Sequence, residues 1–370
     1  MRCCIECFRD IDIRARIKRI HERGFCEVSE EHRAETWTMD LDRIDRQSEY
    51  GDGMVLDFEE IADLYAPTSS DVTQSRKLAE HLKDEWGIFA LTFEEIQRLL
   101  DAVLSDYFSK NPLMQHGPVA PVIMPGSQFY NDASILSGKS WSEFERVIRH
   151  ENRFHNGIFK PNQLIAFFEQ LVRDISVGTV FQRARIIQES EIPLEAQGIG
   201  PAPADKAAAG RLNASGISYL YLGTDENSVA VEIKPAVQDV VAIGTFSVTE
   251  VLKVVNLDAL ANLGPFRVAD KSSYLINRPI LLAINTALRK QSGRTRSEAA
   301  YAPTEYISDL VKTMVVEDQL VDGIMYDSTV KSGSKDLVLF RSDKVRLTGG
   351  IAYYGVQGLI PELRRLQSEM

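Results

Sequence analysis

The stretch from Gly210 to Ile233, GRLNASGISYLYLGTDENSVAVEI, constrains this chain more than any other. Two apolar runs within it, Ile217–Leu222 and Val229–Ile233, are rich in β-branched or aromatic residues and are short enough to be strands. The second run contains Glu232. A carboxylate inside an apolar segment costs free energy unless it is paired or used in chemistry. Glu232 is therefore the first candidate for a functional residue.

The same stretch supplies three further polar side chains, those of Arg211, Asn213 and Tyr221. The residues Thr224–Asn227, between the two apolar runs, are typical either of a turn or of the first residues of a short helix. The pattern predicts an arginine on a glycine-flanked loop, followed by a strand that ends near Tyr221. Another strand candidate, Val177–Ile187, carries two arginines that a period of two turns to one face.

The chain changes pattern near its middle. At 370 residues two domains are the default. Residues 58–174 show helical spacing, and Thr92-Phe93-Glu94-Glu95 is a capping box that begins one of the helices. Later residues show short strands interrupted by two helical segments. We therefore predict the α+β class: an N-terminal α-helical domain followed by a compact mixed α+β domain.

The predicted domain limits follow these changes in pattern. Residues 1–55 form a small cysteine-containing module and linker, 56–175 the helical domain, 176–350 the α+β domain, and 351–370 a tail.

Composition excludes several classes of function. The formal net charge of -11 argues against a general nucleic-acid binder, which usually carries a basic balance. No apolar run approaches the roughly 20 residues that a membrane span needs. The first ten residues lack the apolar core of a signal peptide, so a cytoplasmic location is expected.

The four cysteines of the chain are too few for a disulfide framework. Cys4-x-x-Cys7 has the spacing of half a zinc knuckle, but Ser29 stands where a second pair would place its last thiol. His21 or His32 would have to supply a fourth ligand. Reduced, non-ligating cysteines are the favoured interpretation, zinc is the less favoured one, and no metal ligand is assigned.

Several segments together resemble one family. They are FQRARI at Phe181–Ile186, the run PAPADKAAAGRLNASGISYLYLGTDENSVAVEIKP, DGIMYDSTV at Asp322–Val330, and KDLVLF at Lys335–Phe340. From about Val180 to Leu347 the chain resembles the RES family of bacterial toxins, named for an arginine, a glutamate and a serine. The most specific part is the arginine and asparagine motif followed by Tyr221, with Glu232 eleven residues later.

The resemblance implies a fold similar to ADP-ribosyltransferases and an activity on NAD. Members cleave the nicotinamide–ribose bond and pass ADP-ribose to phosphate, to water or, in some cases, to a protein. The positions that match the family's functional residues are Arg211, Tyr221, Glu232 and Ser328 as the catalytic set, with Asn213 and one of Arg183 and Arg185 for NAD binding.

Elementary chemistry agrees with these roles. Arginine forks suit a diphosphate, and a carboxylate stabilises the oxocarbenium-like ribose that remains when nicotinamide leaves. A tyrosine ring can stack on nicotinamide, and a serine can hold the ribose. Each residue also has an ordinary structural interpretation: Tyr221 in the core, Ser328 in a turn, Glu232 on an edge strand, and the two arginines on a solvated strand face.

The leading hypothesis is an NAD-consuming enzyme, an NAD phosphorylase or glycohydrolase, acting as a toxin or defence effector. The alternative enzyme is a protein ADP-ribosyltransferase. The N-terminal half also resembles the HEPN-like helical region found ahead of some RES domains, and Arg149-x5-His155 loosely fits the motif of HEPN RNases, so an RNA-binding or RNase module is a further alternative. NAD and a neutralising antitoxin are the expected partners, and a homo-oligomer is compatible with the sequence.

Overall fold

The computed structural model describes residues 1–44, 50–51, 53–72, 74–261, 263–289, 298–328 and 330–358. Parts of the predicted linker, 45–49 and 52, and most of the predicted tail, 359–370, lie outside the described residues. The described chain divides into two compact units, 1–138 with 262–280 and 139–261 with residues from 281 onward. These limits differ from the predicted ones at 55, 175 and 350.

The first unit combines a small antiparallel sheet with short helices. Its strands are β1 (Arg2–Cys4), β2 (Arg23–Gly24), β3 (Thr36–Asp40), β4 (Tyr65–Pro67) and β5 (Val119–Pro121). Its helices are α1 (Ile11–Arg19), α2 (Met54–Ala62), α3 (Leu78–Asp84), α4 (Phe93–Val103), α5 (Ser105–Lys110), α6 (Pro112–His116) and α7 (Gln128–Ala133). The capping box is confirmed at the start of α4, where the Glu95 amide donates to Thr92 Oγ1 at 3.3 Å and the Thr92 amide donates to Glu95 Oε2 at 2.8 Å.

The second unit carries most of the strands. They are β6 (Val172–Ile175), β7 (Val180–Ile187), β8 (Leu220–Gly223), β9 (Val240–Val248), β10 (Leu252–Asn256), β11 (Val315–Val316), β12 (Gln319–Leu320), β13 (Gly323–Asp327), β14 (Lys335–Leu339) and β15 (Val345–Gly355). The helices are α8 (Trp141–His150), α9 (Pro161–Glu169), α10 (Ala196–Ile199), α11 (Glu226–Glu232), α12 (Asp258–Ala261), α13 (Lys271–Arg289) and α14 (Ala302–Lys312), of which α13 begins among residues of the first unit. Over the described ranges, no helix has the length and apolar character required to cross a membrane.

One eight-stranded sheet organises the second unit, in the order β15-β9-β7-β8-β14-β13-β10-β6. Strands β10 and β13 pair in parallel, and the other neighbours are antiparallel. A core of buried apolar side chains from several strands lies against it, among them Phe181, Leu220, Phe246 and Leu337. The predicted α+β class is confirmed.

The predicted second strand of the opening stretch is wrong. Val229 to Glu232 belong to helix α11, so Thr224–Asn227 lead into a helix, which was the other interpretation of those residues. Asp225 is the N-cap, and its carboxylate accepts the Ser228 amide at 2.9 Å. Val229 packs in a small apolar cluster on β7 and β9, which holds the helix against the sheet.

The sequence places helices α8 and α9 in the N-terminal helical domain, but both lie in the second unit. The Phe144 and Phe159 rings contact Tyr306 of α14, with centroids 5.8 Å and 5.1 Å away. Val172–Ile175, predicted mostly as the end of a helix, is strand β6, which pairs with β10. Aromatic packing and strand pairing therefore tie these residues to the sheet.

Candidate active site

A pocket of about 170 Å³ lies where β7, β8, β13 and β14 meet helix α11. Its lining comprises Arg183, Ala184, Tyr221, Leu222, Val229, Glu232, Ile233, Tyr326 and Asp336. The volume is below the roughly 300–1,000 Å³ of pockets that enclose a whole drug-sized ligand. It suits one end of a larger molecule.

Glu232 is paired with Arg211 through an ion pair between its Oε1 and Arg211 Nη2. The arginine side chain is 12% exposed and the glutamate side chain 30% exposed. The guanidinium carbon also lies 5.4 Å from the centroid of the Tyr326 ring. Burial alone would lower the pKa of Arg211, but the neighbouring Tyr326, Glu232 and Asp336 outweigh it, and the pKa is raised. Arg211 is therefore charged at neutral pH.

Arg211 retains an unused donor. Its Nη1 is buried and has no hydrogen-bond partner within the described part of the chain. Buried polar groups in native proteins are nearly always satisfied, so such an atom asks for an explanation. A ligand oxygen bound beside Glu232 would provide one.

The loop ahead of β8 is held by the Asn213 side chain. Its Nδ2 donates to the carbonyls of Ala208 and Ile217, each at 2.9 Å, and its Oδ1 accepts the Tyr221 hydroxyl at 2.6 Å. A Cβ at Gly210 would lie 2.6 Å from Asn213 Oδ1 and 2.8 Å from the Tyr221 hydroxyl, so only glycine fits there. Asn213 is not part of the pocket lining; its amide fixes the orientation of Tyr221 instead.

The pocket distinguishes the two arginines of β7. Arg183 lines it, and its Nη1 donates to the Tyr221 carbonyl at 3.1 Å. Its Nε is buried without a partner among the described residues. Burial, followed by the nearby Arg185, lowers the pKa of Arg183 to about 10, so it is still cationic at neutral pH.

Arg185 lies apart from the pocket lining. Its guanidinium donates to the Gly198 carbonyl and lies 3.9 Å from Glu191, and both side chains of this ion pair are exposed. The sequence left open which of the two arginines serves NAD binding, and only Arg183 is among the residues that line this pocket.

Ser328 reaches the pocket through Asp336. Ser328 is buried and follows β13, and its Oγ accepts the Val330 amide at 3.3 Å. Asp336 lines the pocket, and its pKa is raised to about 6, chiefly by burial and then by the charge of Glu232. The charge of Arg211 and, to a smaller extent, a hydrogen bond with Ser328 act in the opposite direction. Asp336 Oδ2 has no hydrogen-bond partner among the residues that the structure describes.

Two pocket residues were missed by the sequence analysis, Tyr326 and Asp336. Both lie in segments that carry the family resemblance. Asp336 is an acid at the start of the apolar run KDLVLF, which is the same signal that identified Glu232. No local pattern distinguishes Tyr326 from an ordinary core tyrosine.

The residues proposed for an RNase site have other contacts. Arg149 Nη2 donates to Glu145 at 2.8 Å and to the Ala300 carbonyl at 3.4 Å. His155 is exposed, and its backbone amide donates to Asn152 at 2.8 Å. The RNase alternative stays a prediction that these contacts do not favour.

Comparison with known families gives one match: the family model described as "RES domain" covers residues 184–350. The match includes β8, α11 and β14 and thus nearly the whole pocket lining. It does not include the region predicted to be HEPN-like. The comparisons with curated proteins and with solved structures returned no match.

Proposed function

Residues 184–350 are a RES domain, and on this premise we propose that the protein consumes NAD by cleaving its nicotinamide–ribose bond. The proposal names an NAD phosphorylase or glycohydrolase. Protein ADP-ribosylation is the competing outcome, because the same cleavage would precede it.

One observation carries the proposal: the Arg211–Glu232 ion pair at a pocket that Arg183 also lines. Each arginine has a buried nitrogen without a partner in the described chain. Two cations with spare donors suit the oxygens of a phosphate or a ribose, since arginine makes charge-assisted bonds to such groups. The Glu232 carboxylate in the same pocket lining suits a developing positive charge.

The proposed step breaks the bond between ribose C1′ and the nicotinamide nitrogen. The bonding electrons leave with nicotinamide, which departs as a neutral molecule, and the ribose becomes oxocarbenium-like. Glu232 stabilises this cation electrostatically and accepts a hydrogen bond from a ribose hydroxyl. Arg211 holds the carboxylate in position through their ion pair.

The small volume of the pocket favours the nicotinamide and its ribose as the part of NAD that it would hold, with Tyr221 or Tyr326 against the flat ring. Arg183 then binds the nearer phosphate. Water or phosphate adds to C1′ and loses a proton, and Asp336 is the nearby carboxyl whose pKa, about 6, suits proton acceptance near neutral pH.

Product analysis tests the proposal. The full chain is incubated with NAD labelled in the adenine ring, with and without phosphate, and nicotinamide, soluble ADP-ribose species and labelled protein are measured. Nicotinamide release matched by soluble ADP-ribose or its 1-phosphate is expected. Label that appears mainly on protein would replace the proposed activity with ADP-ribosyl transfer, and an absence of nicotinamide would refute both.

An enzyme that depletes NAD would harm the cell that makes it. A role as toxin or defence effector therefore goes with a neutralising partner or a restrained state. Co-expression with a cognate antitoxin is expected to restore growth, whereas unrestrained expression is expected to lower cellular NAD.

A further inference from the structure

The first unit brings four metal-binding side chains to one point. The ligand atoms of Cys4, Cys7, Cys26 and His32 all lie within 4.8 Å of one another. Cys4 and Cys7 are fully buried, and the other two are partly buried. The set is unrelated to the pocket of the RES domain and has no part in the proposed NAD chemistry.

Four of the six separations between the ligand atoms match a tetrahedral zinc site. Bonds of about 2.3 Å to sulfur and about 2.0 Å to nitrogen place tetrahedral ligands roughly 3.5–3.8 Å apart. Cys4 Sγ lies 3.8 Å from Cys7 Sγ, and Cys7 Sγ lies 3.5 Å from Cys26 Sγ. His32 Nδ1 lies 3.4 Å from Cys4 Sγ and 3.6 Å from Cys7 Sγ.

The backbone supplies the ligands in two groups. Cys4 ends strand β1, and Cys7 ends the 3-10 turn Ile5–Cys7, so the first two thiols come from a compact knuckle. Cys26 and His32 lie in the segment that joins β2 to β3. The Arg2 carbonyl accepts the Glu27 amide at 2.8 Å, which fastens that segment beside β1.

Ser29 explains how histidine comes to occupy the fourth position. It stands where a second C-x-x-C pair would place its thiol, and it is buried. Its carbonyl accepts the His32 amide at 3.4 Å, which closes a turn that carries the imidazole to the three thiols. Arg98 of α4 fixes the same segment by donating to the Val28 carbonyl at 2.8 Å. The missing thiol is thus replaced by a nitrogen ligand three residues later.

A disulfide explains this arrangement less well. The 3.5 Å between Cys7 Sγ and Cys26 Sγ is much longer than the roughly 2.05 Å of a disulfide bond, and all four cysteines are free. A disulfide between Cys7 and Cys26 would not explain why Cys4 and His32 converge on the same point. Cys3 is also fully buried but does not belong to the cluster, so burial alone does not gather the other thiols.

We propose that Cys4, Cys7, Cys26 and His32 bind one structural zinc ion. The site would be closed, with three thiolates and one imidazole as its ligands. This reverses the preference for non-ligating cysteines that the sequence alone favours. Four protein ligands leave no open position for substrate, so the ion would stabilise the fold of this segment and would not catalyse a reaction.

The test uses the full chain, purified under reducing conditions, and compares Cys26→Ala with the matched control Cys3→Ala. We expect about one zinc per chain in the wild type and in the control, and little in Cys26→Ala, by elemental mass spectrometry. After exchange with cobalt, the wild type and the control are expected to show the visible absorption of a tetrahedral thiolate-bound ion. His32→Cys is expected to keep the metal, because it supplies a fourth thiolate.

Three results would overturn the proposal. One is a folded wild type, judged by circular dichroism, that contains no zinc and takes up no cobalt. Another is equal metal content in Cys26→Ala and the wild type. The third is a thiol titration that finds Cys7 and Cys26 bonded to each other in the reduced preparation. If Cys26→Ala does not fold, the zinc content and the cobalt spectrum of the wild type decide.

Discussion

At the scale of single residues, the pair Arg211–Glu232 links the sequence to the chemistry. The carboxylate looks out of place in its apolar run, and the structure shows the partner that balances it. Removing one member of a buried ion pair leaves an uncompensated charge, which typically costs about 3–5 kcal/mol of stability. Because Glu232 is 30% exposed, the cost here should be smaller, and its loss should affect activity more than folding.

Arg183 and Arg185 provide a matched pair for testing the phosphate contact. Lysine keeps the charge but loses the fork of the guanidinium. Arg183→Lys is expected to raise KM for NAD about 10- to 100-fold, the equivalent of one charge-assisted hydrogen bond. Arg185→Lys should leave KM unchanged, because that side chain bonds the Gly198 carbonyl and lies outside the pocket lining. Steady-state kinetics of both variants measure KM for NAD. A raised KM in Arg185→Lys with an unchanged KM in Arg183→Lys would assign the phosphate contact to Arg185 instead.

Asp336 predicts a pH dependence of stability. Its pKa is raised to about 6 by burial and by Glu232, whereas an unfolded aspartate titrates near 3.9. The folded state holds the proton more tightly, so the contribution of Asp336 to stability is present below about pH 4 and is lost as pH rises through about 6. The loss amounts to about 3 kcal/mol.

Asp336→Asn should remove this dependence. We expect the variant to gain free energy of unfolding relative to wild type at pH 7.5 and to gain none at pH 4, as measured by urea denaturation. Equal pH dependence of the two proteins would show that the raised pKa is not a property of this carboxyl. The same variant should lose NAD turnover if Asp336 accepts the proton of the incoming nucleophile.

At the scale of elements, helix α11 positions the carboxylate. Val229, Glu232 and Ile233 all line the pocket, and their spacing of three and four residues places them on one face of a helix. Val231 is 53% exposed on another face. A strand would instead have turned Val229, Val231 and Ile233 together and Glu232 away from them.

The N-cap of α11 offers a test of this positioning. Asp225 accepts the Ser228 amide and forms an ion pair with Lys331 at 2.7 Å, and these contacts lower the pKa of its carboxyl. Asp225→Ala is expected to lower the urea midpoint and to reduce kcat, because the first turn frays and Glu232 loses its fixed place. Asp225→Ser, which can still cap, should keep most of both properties. An unchanged kcat in Asp225→Ala would show that the cap does not position Glu232.

The sequence predicts most of the elements around the site but not all of their types. Strand β7 lies within the predicted segment Val177–Ile187, and β8 extends one residue beyond the predicted segment Ile217–Leu222. Helix α11 was assigned as a strand because Val229, Val231 and Ile233 favour strands locally, while packing of Val229 on the sheet and the Asp225 cap decide for a helix. The spacing of three and four residues between Val229, Glu232 and Ile233 is the one local feature that favours a helix.

Contacts between residues that are far apart in the sequence explain the features of the two sites that could not be predicted. Asp336 approaches Glu232 only because β14 pairs with β8, with Asp336 opposite Gly223. Arg185 differs from Arg183 because helix α10 brings the Gly198 carbonyl to it, whereas Arg183 bonds the Tyr221 carbonyl at the pocket. His32 joins the cysteines through a turn at Ser29 that no spacing rule describes. Each of these is a property of the folded chain.

At the scale of the whole molecule, most of the matched range 184–350 lies in the second unit, whereas its residues 263–280 belong to the first. Helices α8 and α9 and strand β6 also lie in the second unit. Residues ahead of the matched range therefore belong to the same compact unit as the site. The HEPN-like assignment of the helical region remains a prediction. The proposed zinc belongs to the first unit, so metal loss and loss of NAD turnover can be separated by experiment.

The most direct test of the central claim compares Glu232→Gln with Glu226→Gln in the full chain. Both residues lie on α11, but Glu226 is exposed and is not part of the pocket lining. Nicotinamide release from NAD is measured for both variants and the wild type. Glu232→Gln is expected to lower kcat by about 100-fold or more, and Glu226→Gln to match the wild type. Wild-type turnover in a folded Glu232→Gln variant would contradict the account.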